Sequence, residues 1–562
     1  MSKIQVRHPN LAASRALIDQ GIPPTLARLY AARGVTSIQE TQARLQDLHS
    51  VENLKGVRRM ATGLADAIAA EARMLIVADY DADGATACAI GVAGLRQLGA
   101  HVEFMVPNRL KHGYGLSPAI VAEAASREPS LLITVDNGIA AVAGVDAAKQ
   151  LGIPVFVTDH HLPGNQLPDA AAIVNPNQPG CEFPSKNLAG VGVIFYVLAA
   201  LRAELRARGA YQDKPEPDLR ALLDRVALGT VADVVTLDAN NRILVTQGLE
   251  RIRAGQASPG IQALFQVSRR DWKSATVFDL AFMLGPRLNA AGRLDDMSIG
   301  IECLLAPSLE QALPLAQELH ELNQSRKEIE AGMQEQAWSQ LSNMACANKH
   351  GIAVYHSDWH AGVVGILASR IKEHYHRPVI AFAPGESGQL KGSGRSIPAF
   401  HLRDALDWVD RKHPGLMQQF GGHAMAAGLT LSVDRFIEFQ SAFEEVAKEW
   451  LSPEDLGEII ETDGELDTKE LNIDFVRALE AGVWGHGFPA PLFQGQFKVI
   501  DQKIVGEKHL KLDVELQRTR HTLLAFFRTE DLPKAFLGVY APMINAFNGN
   551  VGIQLKLHHW AL

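Results

Sequence analysis

Five consecutive apolar residues, Met74 to Ala78, run straight into three carboxylates at alternate positions, Asp79, Asp81 and Asp83. Gly84 then releases the chain into the apolar run Ala85 to Leu98. The first run reads as a buried strand and the last as a helix, so the acids fall where the strand must end. Acids packed this closely repel one another, and they either lie in water or surround a cation that offsets the repulsion. The carboxyl end of a strand in a parallel sheet is where ligands sit, which favours the cation. The same spacing also occurs in calcium loops and in ordinary acidic turns.

The alternation of strand and helix continues through Val102 to Val106, Pro118 to Ser126, Leu131 to Val135, Ala140 to Leu151 and Val155 to Thr158. Continuous apolar strands joined by helices predict a parallel sheet covered on both faces, with right-handed crossovers that put every strand's carboxyl end on one edge. That edge receives Asp136, with Asn137 and Gly138 behind it, and then Asp159, His160 and His161. A divalent site takes oxygen ligands, with histidine nitrogen admitted for manganese, zinc or iron, and a bridging carboxylate holds two ions roughly 3.5–4 Å apart. The plainer alternatives are an Asx turn before Gly138 and an exposed polar turn ahead of Pro163 and Gly164. Asp233 stands alone among Val231, Ala232, Val234 and Val235. A carboxylate there needs a salt bridge, to Arg225 or Arg242, or a metal.

At 562 residues the chain is too long for one core, and about three to five units are expected. A net charge of -9 argues against wholesale attraction to nucleic acid, so a polyanion partner needs local basic patches. Cys88, Cys181, Cys303 and Cys346 lie far apart without a CxxC pair, which reads as core cysteines in a reducing compartment. The start MSKIQVRHPN lacks the apolar core of a signal peptide, and Val191 to Leu201 falls far short of the ~18 residues of a bilayer span. The expectation is a cytoplasmic protein without a membrane partner.

Residues 1–50 carry short helical patterns and no cluster suggesting chemistry. Leu188 to Arg208 reads as a long helix, and Asp218 as the cap of a later one. Leu309 to Ala347 reads as a helix joining two domains, its charged stretch Glu318 to Glu335 a solvated face. A second α/β unit follows: strand Ile352 to Tyr355, helix Val363 to Tyr375, strand Val379 to Phe382, then glycine-rich loops GSGRS and GGHAMAAG. Such loops leave backbone N–H groups open to phosphate, as they also form ordinary tight turns. After about Glu454 strict alternation, as in His509 to Leu516, predicts a small antiparallel barrel or sandwich. Between Lys498 and Arg528 seven Lys or Arg residues face four acids, a local excess in an acidic chain. Phe526 and Phe527 within it either stack on bases or fill the barrel core.

DYDADG, VPNR, TVDNG and TDHH, in that order and spacing, resemble the motifs of the DHH phosphoesterase superfamily. GTVADVV, GPRLNAAGRL, WHAGVVGILASR, GSGRS and GGHAMAAG extend the resemblance over most of residues 70 to 430, and narrow it to the bacterial exonucleases specific for single-stranded DNA. It implies an N-terminal flank (1–50), a parallel-sheet DHH catalytic domain (51–305), a connecting helix (306–348), a DHHA1-like substrate-binding α/β domain (349–453) and an OB-like nucleic-acid-binding barrel (454–562). It further implies two divalent ions, Mn2+ or Mg2+, one held by Asp79, Asp81 and Asp136, the other by Asp83, Asp136, His160 and Asp233. Many superfamily members begin the first motif with histidine where this chain has Asp79. Asp159 would orient His160, and His161 would meet the scissile phosphate or leaving group. Arg109, Arg287 or Arg293, Ser393, Arg395, Ser396 and His423 would hold substrate phosphates.

The activity implied is hydrolysis of single-stranded DNA from the 5′ end to 5′ mononucleotides, in DNA repair and recombination, with the second domain closing over a cleft too narrow for duplex. A monomer working with single-strand-binding protein or a helicase belongs to the same expectation. The alternatives are a superfamily phosphodiesterase for short oligoribonucleotides or cyclic dinucleotides, and a non-catalytic nucleic-acid scaffold.

Overall fold

The structure, a computed structural model, describes residues 3–107, 115–344, 348–386, 388–547 and 550–562. Arg109 and Cys346 lie outside the described residues. The chain forms two compact units, one of residues 6–320 with 461–562, the other of residues 321–460 with the first five.

In the larger unit the apolar runs form a five-stranded parallel sheet, ordered His101–Met105, Arg73–Ala78, Leu131–Val135, Val155–Thr158 and Ala172–Val174. The last of these, too short and too mixed to read in the sequence, adds an edge strand. Leu75, Val77, Leu132, Val155 and Val157 bury one face against Ile120, Val121, Ala124, Val145 and Ala148 of the helices Pro118–Ala125 and Val142–Gln150. Helix Ala82–Gln97 and residues 190–201 of the helix Gly190–Ala207, apolar on nearly all sides, are almost wholly buried, as such a pattern requires, while the charged end of the second helix reaches solvent. Cys88 and Cys303 are core residues, whereas Cys181 is only half-buried.

The C-terminal strands Phe493–Val505, His509–Leu516, Thr519–Ala525, Ala535–Phe547 and Asn550–Ala561 close into a barrel. Alternate residues, Leu510, Leu512, Val514 and Leu516 among them, fill it together with Phe493, Phe497, Phe536 and Tyr540. Leu29 of the helix Pro24–Ala31 joins this core. The N-terminal residues that carry no chemistry therefore have a structural task. Asp463, 2% exposed at its side chain, pairs with Arg33, itself 1% exposed, at 2.8 Å and with Arg7 at 3.2 Å. Tyr30, Trp484 and Phe488 stack alongside, and the Arg242 guanidinium lies 4.1 Å over the Phe488 ring. The barrel thus shares a compact unit with the parallel sheet.

In the smaller unit the strands run Gln419–Gly422, Ala426–Ser432, Gln389–Arg395, Val379–Pro384 and Ile352–Tyr355, only the last two being parallel. The glycine-rich motifs lie largely in strands rather than loops: Ser393 pairs with Gly428 and Gly392 with Leu429, and His423, Ala424 and Met425 make the turn between two of these strands. A side chain at Gly392 would meet the Phe382 ring at 2.5 Å, so packing against an aromatic core accounts for that glycine. The charge run Glu318 to Glu335 is not a uniformly solvated face either. Arg326 and Glu330 are buried and paired, and Glu330 also accepts from Arg370 at 3.0 Å. Among the described residues no helix is long and apolar enough to cross a membrane.

Candidate metal centre

The register of the parallel sheet builds the site. Ala78 pairs with Val135, Val135 with Thr158 and Thr158 with Val174, so the residues that follow, Asp79, Asp136, Asp159 and Asn175, stand in one row. The ladder continues through them: the Asp79, Asp136 and Asp159 amides donate to Val135, Thr158 and Val174 carbonyls at 3.3, 3.0 and 3.1 Å.

The helix after the acid run begins at Ala82, three residues earlier than the apolar pattern predicts, because Asp81 is its N-cap. Asp81 Oδ1 accepts from the Asp83 and Gly84 amides at 2.9 and 3.0 Å, satisfying donors that a helix start leaves open. Asp83, in the first turn, accepts from Gly190 and Val191 at 2.6 and 2.9 Å, the first amides of a second helix. Gly190 is obligatory there, since a Cβ would stand 2.6 Å from Asp136 Cβ. The motif GPRLNAAGRL, on the helix Gly285–Leu294, clamps the acid loop from a third side. Asn289 Oδ1 accepts from the Ala82 amide at 2.9 Å, and Gly292 lies so close to the Tyr80 carbonyl that a Cβ would fall 1.8 Å from it. Sequence reasoning missed Asn289; its only signal was its place inside GPRLNAAGRL.

Asp136 sits at φ 62°, a left-handed conformation uncommon for a residue with a side chain and one that persists only when its surroundings enforce it. Asn137 enforces it from the next position, its amide donating to the Val77 and Val135 carbonyls at 3.1 and 2.9 Å. The expectation that Asp159 orients the His160 ring is corrected. Asp159 Oδ1 accepts the His160 and His161 amides, but its ring partner is His161 Nδ1, at 2.7 Å. The His160 ring turns the other way, its Nε2 3.1 Å from Asp136, 3.5 Å from Asp233 and 3.9 Å from Asp83. Two further residues absent from the expected set hold this turn: Asn177 donates to the His160 carbonyl at 2.6 Å and Asn175 to that of His161 at 2.9 Å. Asp233 takes neither arginine considered for it; Arg225 lies against Asp224 and Arg242 donates to the Leu237 carbonyl.

Among the described residues three groupings bring ligand atoms within 4.8 Å of one another: Asp79, Asp81 and Asp136; Asp83, His160 and Asp233; and Asp136 with both histidines. Asp136 is shared between the first and the third. Burial, reinforced by neighbouring aspartates, raises Asp136 and Asp233 well above the usual carboxylate range. Asp83 is pushed to about 7 by burial and by Asp81, against the pull of its two amide donors. His160 falls to about 4 through burial and the nearby His161, so its ring is neutral at pH 7 with a lone pair to offer. Burial works against protonation of His161 too, yet its bond to Asp159 and the surrounding aspartates lift it to about 9. Five clustered carboxyls thus face one protonated histidine. That deficit of positive charge, with a neutral imidazole among oxygen donors, fits divalent cations.

The expected phosphate-holding residues divide. Arg287 is buried, directed onto the Met283 carbonyl and His320 Nδ1, and Ser396 is buried, its hydroxyl donating to the Phe400 carbonyl at 2.6 Å; neither faces solvent for a substrate. Arg293 is half-buried and follows the Gly292 that touches the acid loop. In the smaller unit Arg395 donates to Ser393 Oγ at 3.2 Å, and both lie against Gly365, at the start of the helix Val364–Tyr375. His423 is exposed at the end of a neighbouring strand.

A parallel sheet ending in this acid row and an Asp-His-His turn, with a second α/β unit later in the chain, defines a member of the DHH class. Residues 73–230 match the DHH family N-terminal domain, 348–449 the DHHA1 domain and 462–559 the RecJ OB domain. The chain is 51% identical over 560 residues to the single-stranded-DNA-specific exonuclease RecJ of Dickeya dadantii, covering 97% of each, and 53% identical over 502 residues to that of Escherichia coli, covering 88% of this chain and 87% of the relative. The crystal structure of RecJ in complex with Mn2+ from Thermus thermophilus superposes with a TM-score of 0.84 at 29% identity, covering all of this chain and 79% of that one. A second from the same organism, in complex with Mg2+, gives 0.78 at 28%, covering 99% and 78%. The chain belongs to the RecJ family.

Proposed function

We propose that the protein is a divalent-metal-dependent exonuclease that hydrolyses single-stranded DNA from its 5′ end and releases 5′ mononucleotides. The observation that carries this reading is Asp136, held in a left-handed conformation and shared between groups of metal-ligating side chains. Asp79, Asp81 and Asp136 would hold one Mn2+ or Mg2+, and Asp83, Asp136, His160 and Asp233 the second. Such a pair lowers the pKa of bound water and neutralises charge on the phosphoryl and departing oxygens. The chain's own residues set the stage: Asp159 fixes the His161 ring through Nδ1, which leaves the opposite edge to donate to a phosphate or leaving oxygen. Asn175 and Asn177 keep both histidines in place. The relatives' specificity for single-stranded DNA supports the substrate class.

Ser393 and Arg395, beside a helix start where backbone amides favour anions, take phosphates of the strand. Phe526 and Phe527 are 38% and 83% exposed, with Lys556 5.7 Å over the former ring. They lie outside the barrel core and suit base stacking along a basic face. Work as a cytoplasmic monomer in repair and recombination, with single-strand-binding protein or a helicase, completes the proposal.

The test is digestion of 5′- and 3′-labelled single strands with Mn2+, Mg2+ or chelator. Metal-dependent release of labelled mononucleotide from the 5′ end first is expected, and is abolished in Asp136→Ala, a variant that keeps its fold. Full activity in chelator, or release from the 3′ end first, would sink the proposal.

A further inference from the structure

Most large apolar side chains in the larger unit are buried, but Phe278 and Phe282 are 50% and 64% exposed, with ring centroids 5.0 Å apart and planes inclined by 35°. They stand four residues apart where a π-helical turn, Asp279–Leu284, begins. Isolated π turns collect at functional sites. This one continues directly into the helix Gly285–Leu294, whose Asn289 and Gly292 hold the acid loop. At the junction, a side chain on Gly285 would lie 3.2 Å from Ala232 Cβ, one residue before Asp233. Phe282 is three positions before Gly285, about one helical turn away. The turn that carries the aromatic pair therefore runs directly into the helix that braces the acid loop at Tyr80 and Ala82, and at Gly285 that junction packs against the residue before Asp233.

We propose that Phe278 and Phe282 form a stacking platform for nucleobases of the single strand next to the metal centre, an inference that rests on the proposed function. Every base has a π face, so two rings here hold the strand without reading its sequence. Two exposed rings are too little surface to anchor a protein partner, since specific protein interfaces bury on the order of 1,000 Å² or more. Their continuity with the acid cluster favours the strand being processed.

The test uses the full chain with Phe278→Ala/Phe282→Ala and Phe282→Trp. Neither removes core volume, so circular dichroism should match wild type. With Mn2+, the double variant should raise KM for a 5′-labelled single strand about 10- to 100-fold, the range expected for loss of base stacking, whereas Phe282→Trp, which keeps a ring at both positions, should hold the wild-type KM. Moving one abasic site along the strand should reveal a position that weakens wild type and leaves the double variant unchanged. In chelator, where nothing is cut, oligothymidylate should quench the new tryptophan of Phe282→Trp. Unchanged KM in the double variant, an abasic series without such a position, or absence of quenching would each overturn the platform. Failure of wild type to cut single strands at all would instead remove the proposed function, and the quenching measurement would still decide whether bases reach Phe282.

Discussion

Replacing Asp83 by Asn should stabilise the metal-free protein at neutral pH and destroy its response to divalent metal. In the wild type the Asp83 carboxyl is raised from 3.8 to about 7 by burial and by Asp81. A folded-state value above the unfolded one means that the group's contribution to stability is complete below about pH 4, declines as pH rises, and is gone above about 7. The gap corresponds to roughly 4 kcal/mol. Asparagine does not ionise, but it offers one acceptor oxygen to the two amides of Gly190 and Val191, and the unmet donor costs about 1–3 kcal/mol at every pH. Asp83→Asn should therefore be slightly less stable than wild type near pH 4 and more stable by about 1–3 kcal/mol near pH 8. Urea midpoints in chelator at the two pH values measure this. Mn2+ at a hundredfold excess over its Kd should add ~2.7 kcal/mol to wild type and little to the variant. Parallel pH profiles, or an equal gain from Mn2+, would refute the reasoning.

His161, held near 9, contributes stability that is complete below about pH 6.5 and lost as pH rises through 9; Asp159→Asn should abolish that loss, and NMR titration of the imidazole should show its pKa fall. Asp463→Ala leaves Arg33 and Arg7 without their buried partner and should cost about 3–5 kcal/mol, read as a lowered thermal midpoint. Ser396→Ala should cost about 1 kcal/mol of stability and leave KM for single strands unchanged, because its hydroxyl serves the Phe400 carbonyl. Arg395→Ala should raise KM at least tenfold with little change in metal affinity, as loss of a charge-assisted phosphate contact requires.

What the sequence displays, and what it hides, follows from the range of the forces involved. Apolar runs such as Leu131–Val135 are visible because burial on both faces of a sheet leaves no polar position, and the acids that follow them are conspicuous by contrast. The start of the helix at Ala82 was hidden because Asp81, which stands among the metal-ligating side chains, also caps the helix through Oδ1, and the apolar pattern marks only the later turns. Asn289, Asn175 and Asn177 act through hydrogen bonds to backbone formed only after folding, the first across 207 positions, which no local pattern records. GSGRS and GGHAMAAG look like loops because glycine is rare in strands. Pairing partners and the Phe382 ring, supplied from elsewhere in the chain, draw most of both motifs into strands, with the turn at 423–425 left between them. Arg287 and Ser396 carry the chemistry expected of phosphate ligands, but the direction of a side chain is settled by neighbours that composition does not name.

The pairing of Arg33 with Asp463 spans 430 positions. During synthesis, at about 5–20 residues per second, roughly 20–90 s separate the emergence of the two partners from the ribosome. Throughout that interval Leu29 and Tyr30 have no barrel or Trp484 to cover them, and the Arg33 guanidinium has no carboxylate. The parallel sheet, whose strands lie within about a hundred residues of one another, has time to form first. The N-terminal helices are then recruited last although they are made first, so a nascent chain is exposed to proteolysis and to misassociation at its oldest segment. Slowing translation between the two partners should lengthen that exposure without altering the finished molecule.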